Sequence, residues 1–107
     1  MTDFNNDSFR LDGKVAIVTG AGGRGNSIGR AYAVALANAG ASVVVADLNG
    51  EGAQKVADEI TGMGGKAVAV QVDITDTASA EAMAAATEQA FGGIDILVNN
   101  AALMVEI

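Results

Sequence analysis

Cysteine, histidine, proline and tryptophan are all absent from this chain of 107 residues. Without cysteine there are no disulfides and no cysteine metal sites. Without histidine the commonest general base and metal ligand are missing. Aromatic residues make up 4% of the sequence, so the core has to be built from Ala, Val, Ile and Leu; apolar residues account for 50%. Cations are scarce as well: six against thirteen acids, a net charge of −7. Arg10, Lys14, Arg24, Arg30, Lys55 and Lys66 are scattered, and a nucleic-acid partner needs a basic patch, so none is expected. No apolar run approaches the roughly 18 residues of a membrane helix. The polar, acidic stretch Met1–Ser8 is not a signal peptide. These exclusions leave a soluble, cytoplasmic protein with at most one compact domain.

The stretch from Val15 to Asp47 organises the rest. Val15-Ala16-Ile17-Val18-Thr19 is a continuous apolar and β-branched run, as expected of a parallel strand buried on both faces. Gly20 to Gly29 is glycine-rich, and glycine lets backbone turn sharply and approach a ligand closely. A helix opening near Ser27 or Ile28 presents unpaired N–H groups and the positive end of its dipole, which together suit a pyrophosphate. The run Ser42–Ala46 reads as a second strand, and Asp47 at its end follows Gly29 by 18 residues. That is close to the spacing of about 20 for an acid that binds a ribose hydroxyl. A glycine cluster alone is as often an ordinary turn, and an acid after a strand is commonly a cap. The strand–loop–helix–strand–acid order is what points to a dinucleotide.

Along the chain, residues 1–10 read as a flexible tail and 11–107 as one nucleotide-binding unit, with Phe9 and Leu11 tucking against the sheet. The first helix is predicted over 27–39, burying Ile28, Ala31, Ala35, Leu36 and Ala39. The second is predicted over 51–63, burying Val56 and Ile60, after a loop of Asn49, Gly50 and Gly52. A third strand spans 67–72, Thr75 or Asp76 caps a third helix over 77–91, and Met83, Ala86 and Ala90 face inward. The fourth strand is predicted over 94–98. This β-α-β-α-β-α-β alternation predicts a three-layer α/β/α fold with a parallel sheet and right-handed crossovers.

Several pieces resemble the N-terminal half of a short-chain dehydrogenase/reductase. They are Asp12-Gly13-Lys14-Val15-Ala16-Ile17-Val18-Thr19-Gly20, Ile28-Gly29-Arg30-Ala31, Asp47, Asp73-Ile74-Thr75, and Phe91-Gly92-Gly93-Ile94-Asp95-Ile96-Leu97-Val98-Asn99-Asn100-Ala101. The last is the most specific. The resemblance implies a fold of Rossmann type with the strand order 3-2-1-4. The resemblance implies that Gly20 and the loop through Arg24, Ser27, Ile28 and Gly29 hold the pyrophosphate. Asp47 and Leu48 take the adenosine ribose, Asp73 and Ile74 flank the adenine, and Asn100 and Ala101 border the nicotinamide-side ribose. Asp73 read without the resemblance is a helix cap, and Asn99 as much a sheet residue as a ligand contact. A carboxylate repels a 2′-phosphate and accepts from a 2′-hydroxyl, so NAD is expected in preference to NADP. Arg24 alone pulls towards NADP. The implied parent reaction is hydride transfer between a nicotinamide and a secondary alcohol or ketone, in a homo-oligomer.

The sequence departs from the family in two ways. The loop from Gly20 to Gly29 is three residues longer than the usual Thr-Gly-x-x-x-Gly-Ile-Gly, with Ser27 in place of the second glycine. The enoyl reductases share a longer loop with a Ser-Ile pair, but end it in Ala and lack the Asn-Asn-Ala. The catalytic Ser, Tyr and Lys that the family requires are also not found: the only tyrosine is Tyr32, with Leu36 four residues on. The 107 residues alone are expected to be inactive. Two other readings are a non-catalytic nucleotide-binding or interaction module and an S-adenosylmethionine-binding protein. A P-loop is excluded, because no Gly-Lys-Ser/Thr follows the glycines.

Overall fold

The computed structural model describes residues 10–22 and 28–101. Arg24 and Ser27, Phe9 and the rest of the expected tail before Arg10 lie outside the described residues. Seven elements alternate: β1 (Val15–Thr19), α1 (Ile28–Asn38), β2 (Ser42–Asp47), α2 (Gly50–Gly62), β3 (Lys66–Gln71), α3 (Thr77–Phe91) and β4 (Ile96–Asn99). All three strand pairings are parallel, and the order β3-β2-β1-β4 is the expected one. All five residues of β1 are buried, as its unbroken apolar run requires.

Residues of alternate parity on the strands feed opposite faces. Ala16, Val18, Val43 and Val45 pack with Ala33 of α1 and with Ala53, Val56, Ala57 and Ile60 of α2. Ile17, Val44 and Ala46 pack on the other face with Met83, and Phe91 lies against them. The layers are therefore α1 and α2, the sheet, and α3. Alanine lets the helices lie close to the strands. Arg30 and Glu59 pair between α1 and α2 (Nε–Oε2 3.1 Å). Among the described residues no helix is long and apolar enough to cross a membrane.

Three local expectations are corrected. Helix α1 does not bury Ile28, Ala31 and Ala35: Ile28 is 65% exposed, and the buried positions are Gly29 and Ala33. The rotation is set at the first turn, where Gly29 lies against the carbonyl of Gly20 with no room for a side chain. Helix α3 buries Met83 and Thr87, while Ala90 is exposed. Thr87 is tolerated there because its hydroxyl donates to the Met83 carbonyl at 2.8 Å, so no polar atom is stranded. Strand β4 begins at Ile96, two residues later than expected. Asp95 is used otherwise: its carboxylate accepts the Val15 N–H at 2.8 Å, while its own N–H donates to the Val15 carbonyl at 2.9 Å.

Candidate functional site

The strands run parallel, so their carboxyl ends share one edge. The chain leaves β1 towards β2 and β3, then returns to place β4 on the other side of β1. A crevice opens where the order reverses, at the carboxyl ends of β1 and β4. Gly20, Asp47, Leu48, Val72, Asp73, Ile74, Thr75, Asn100 and Ala101 line a cleft of about 280 Å³ there. The structure thus brings together seven residues that the sequence singled out, drawn from the ends of all four strands.

The wall between β1 and β4 is fixed by one hydroxyl. Thr19 Oγ1, buried, accepts N–H bonds from Asn100 (3.0 Å) and Ala101 (3.2 Å) and donates towards the Asn99 side-chain oxygen (3.2 Å). One donated hydrogen and two accepted ones exhaust a hydroxyl's capacity. The Asn100 side chain also donates to the Gly20 carbonyl at 3.4 Å. Gly20 itself has φ +71°, and a Cβ there would meet the Ala101 backbone at 3.0 Å. The loop can turn here only because the position is glycine.

Gly29 brings the amino end of α1 to the same place. A Cβ on it would fall against the Gly20 carbonyl and 2.7 Å from the Asn100 side-chain nitrogen. The first turn of the helix, with its unpaired amides, is thereby held beside the Gly20 turn. Ile28, one residue earlier, is exposed.

Asp47 at the end of β2 points back towards the loop. One carboxylate oxygen accepts the Gly22 N–H (3.1 Å) and the other the Asn49 N–H (2.8 Å). A carboxylate has about four acceptor positions. With one used on each oxygen, each oxygen keeps an acceptor position to spare. The side chain is fixed before any ligand arrives.

At the far end, Asp73 accepts both the Thr75 hydroxyl (2.6 Å) and the Thr75 N–H (3.0 Å). The Thr75 hydroxyl first, and then its N–H, hold the Asp73 carboxyl below its ordinary range. A carboxyl depressed in the folded state supports folding above its unfolded pKa, and that support is lost as the pH falls through the folded value. The group is exposed, so that support is small and its main part is to order the turn. Asp76, and not Thr75, caps α3, accepting the Ala78 N–H at 3.0 Å. The exposed apolar side chains of Leu48 and Ile74 stand on the rim.

A larger cleft, about 490 Å³, lies at the opposite edge among Arg10, Asp12, Asn38, Ser42, Met63 and Lys66. It collects the carboxyl ends of α1 and α2, whose dipoles disfavour an anion. Size therefore does not locate the site; the helix amino end and the anchored carboxylate do. Among the described residues no group of three or more Asp and Glu is placed to hold a metal.

The sequence marks Thr19 and Gly22 only as parts of the strand and the glycine loop, and gives Asn49 no role beyond a loop. Asn49, assigned to a loop, caps α2 by accepting the Gly52 N–H at 3.1 Å. The signal was an Asn directly before a helical stretch with an acid in its first turn.

The family model described as short chain dehydrogenase matches residues 14–106. The 7alpha-hydroxysteroid dehydrogenase of Escherichia coli K12 is 50% identical over 98 residues, covering 92% of this chain and 37% of that protein. An uncharacterized oxidoreductase of Mycobacterium tuberculosis is 59% identical over 93 residues, 87% of this chain and 36% of its own length. A solved 7 alpha-hydroxysteroid dehydrogenase complexed with NADH and 7-oxo glycochenodeoxycholic acid superposes with a TM-score of 0.84 at 48% identity, over 91% of this chain and 37% of that one. The chain thus spans little more than a third of the length of the relatives it matches.

Proposed function

The chain belongs to the short chain dehydrogenase family, and from that premise we propose that it is the NAD-holding portion of an oxidoreductase acting between a secondary alcohol and a ketone. The observation that carries this reading is the Asp47 carboxylate, fixed at the mouth of the β1–α1 turn by two backbone amides with acceptor positions to spare. The turn at Gly20 and the first turn of α1, with Ile28 and Gly29, receive the pyrophosphate. Arg24 and Ser27 are assigned to the same loop. Asp47 and Leu48 take the adenosine ribose, Asp73 and Ile74 the adenine, and Asn100 and Ala101 the nicotinamide-side ribose. The cofactor, when bound, supplies or accepts the hydride; these residues orient it.

Asp47 accepts from a ribose diol and repels a 2′-phosphate, and Leu48 beside it is not basic. Both favour NAD over NADP, and the relative solved with NADH supports the choice. Its 7-oxo ligand falls in the ketone class. Tyr32 is a surface residue of α1, 47% exposed, with Leu36 where the family's lysine would stand. The proton-transfer groups are therefore assigned to other parts of the full-length protein, and the 107 residues bind without turnover. Fluorescence titration of the full-length protein with NADH, NADPH and S-adenosylmethionine tests the reading. NADH is expected to bind most tightly. Preferential binding of S-adenosylmethionine contradicts it, and NADH binding without turnover of any alcohol or ketone selects the non-catalytic module.

Strand β4 is the last of the described sheet on its side, and Leu97 on it is 60% exposed. An exposed apolar edge pairs with other chains. A polypeptide of these 107 residues is expected to self-associate at tens of micromolar; a homo-oligomeric full-length protein rests on the family resemblance alone. Light scattering reads the first; a clean monomer contradicts it.

A further inference from the structure

We propose that Asn49 is a positioning residue for the cofactor's phosphates, because it fastens the glycine turn to α2 in addition to capping that helix. The inference rests on the NAD reading above. Three groups of Asn49 are used at once. Its backbone N–H donates to Asp47 (2.8 Å), its side-chain oxygen accepts from Gly52 N–H (3.1 Å), and its side-chain nitrogen donates to the Gly22 carbonyl (3.3 Å). Gly22 in turn donates its N–H to Asp47 (3.1 Å). Both polar groups of the Gly22 backbone are therefore held by the β2–α2 junction, one by the ribose acid and one by Asn49.

The surroundings fit that arrangement closely. A Cβ on Gly22 would lie 2.8 Å from the Ala53 Cα and 2.9 Å from the Asp47 Cβ. A Cβ on Gly52 would fall on the Gly22 carbonyl and 2.6 Å from the Asn49 side-chain nitrogen. The glycine turn and the amino end of α2 meet backbone to backbone, with the Asn49 amide between them. Only an amide side chain can accept from the helix and donate to the turn at the same time. Aspartate lacks the donor, and a serine hydroxyl is too short to span both. A plain cap needs neither property, since Ser, Asp and Asn cap about equally well.

Asn49→Ser separates the two tasks. It keeps a capping oxygen, loses the donor to Gly22, and adds no charge near the phosphates, as Asp would. Asn49→Ala loses both. In the full-length protein, Asn49→Ser is expected to melt slightly below the wild type and well above Asn49→Ala, while its Kd and KM for NADH rise by up to about five- to tenfold, because the loosened turn has to be re-ordered on binding. Its kcat at saturating NADH stays at the wild-type value. Asn49→Ala should show the same loss of affinity and a lower melting temperature. Wild-type affinity in Asn49→Ser overturns the inference, as does a loss of affinity that follows melting temperature across the two variants. A wild-type protein that binds no NADH overturns the nucleotide reading, and this inference with it.

Discussion

Asp47→Ala is expected to weaken NADH binding by about a hundredfold or more in the full-length protein. Two carboxylate hydrogen bonds to a ribose diol, each worth about 1.5 kcal/mol or more, give that scale. The substitution acts a second time through the protein. The N–H groups of Gly22 and Asn49 both lose their acceptor, so the glycine turn loses a fastening as well as the sugar its partner. NADPH should respond in the opposite sense relative to NADH, because the repulsion of the 2′-phosphate disappears. Asp47→Asn preserves the shape but not the pattern. One of its two terminal atoms is an NH2 group that must face an N–H donor, so it too should bind NADH poorly. Fluorescence titration reads all three. An Asp47→Ala protein with unchanged NADH affinity contradicts the account.

Gly29→Val is expected to lower both stability and NADH affinity. The contact that leaves no room for a Cβ is with backbone, the Gly20 carbonyl, and not with the end of a flexible side chain. Backbone cannot step aside cheaply, so the first turn of α1 has to retreat. Overpacking of this kind costs about 1–3 kcal/mol. The displaced turn also removes helix amides from the phosphate position, which lowers affinity by about tenfold or more. Gly62→Ala is the matched control. It lies in α2 with nothing within 4 Å of a Cβ, and replacing a helical glycine by alanine should leave stability unchanged or raise it by up to about 1 kcal/mol. Thermal unfolding distinguishes the two. A Gly29→Val protein as stable as the wild type contradicts the close approach on which the site is built.

Much of the architecture is legible in the sequence because its signals are local. An unbroken apolar run marks β1, glycines mark the ends of helices, and the alternation of periods gives the parallel sheet, while its order follows from the family resemblance. Asp47 can be placed because it directly follows a strand, and the carboxyl end of a parallel strand has one possible location. What the sequence does not give away depends on contacts between distant residues. The rotation of α1 is decided by Gly29 meeting Gly20 and Asn100, and not by which face carries more apolar residues. Ile28 is turned outward for that reason, although it is the largest apolar residue of the first turn. Thr87 is buried because a hydroxyl can be satisfied within its own helix, which a count of apolar side chains misses. Asp95 leaves β4 to serve β1, eighty residues earlier in sequence. Asn49 reads locally as a loop residue, and its bond to Gly22 is visible only in three dimensions.

On the proposed reading, the anchored Asp47 carboxylate and the amino end of α1 grip one dinucleotide between them. A crystal structure of the full-length protein with NAD+ tests it most directly. Both carboxylate oxygens of Asp47 are expected within about 3 Å of the adenosine ribose hydroxyls, with the pyrophosphate over the first turn of α1. A ribose lodged elsewhere, with Asp47 still bonded only to Gly22 and Asn49, would contradict it.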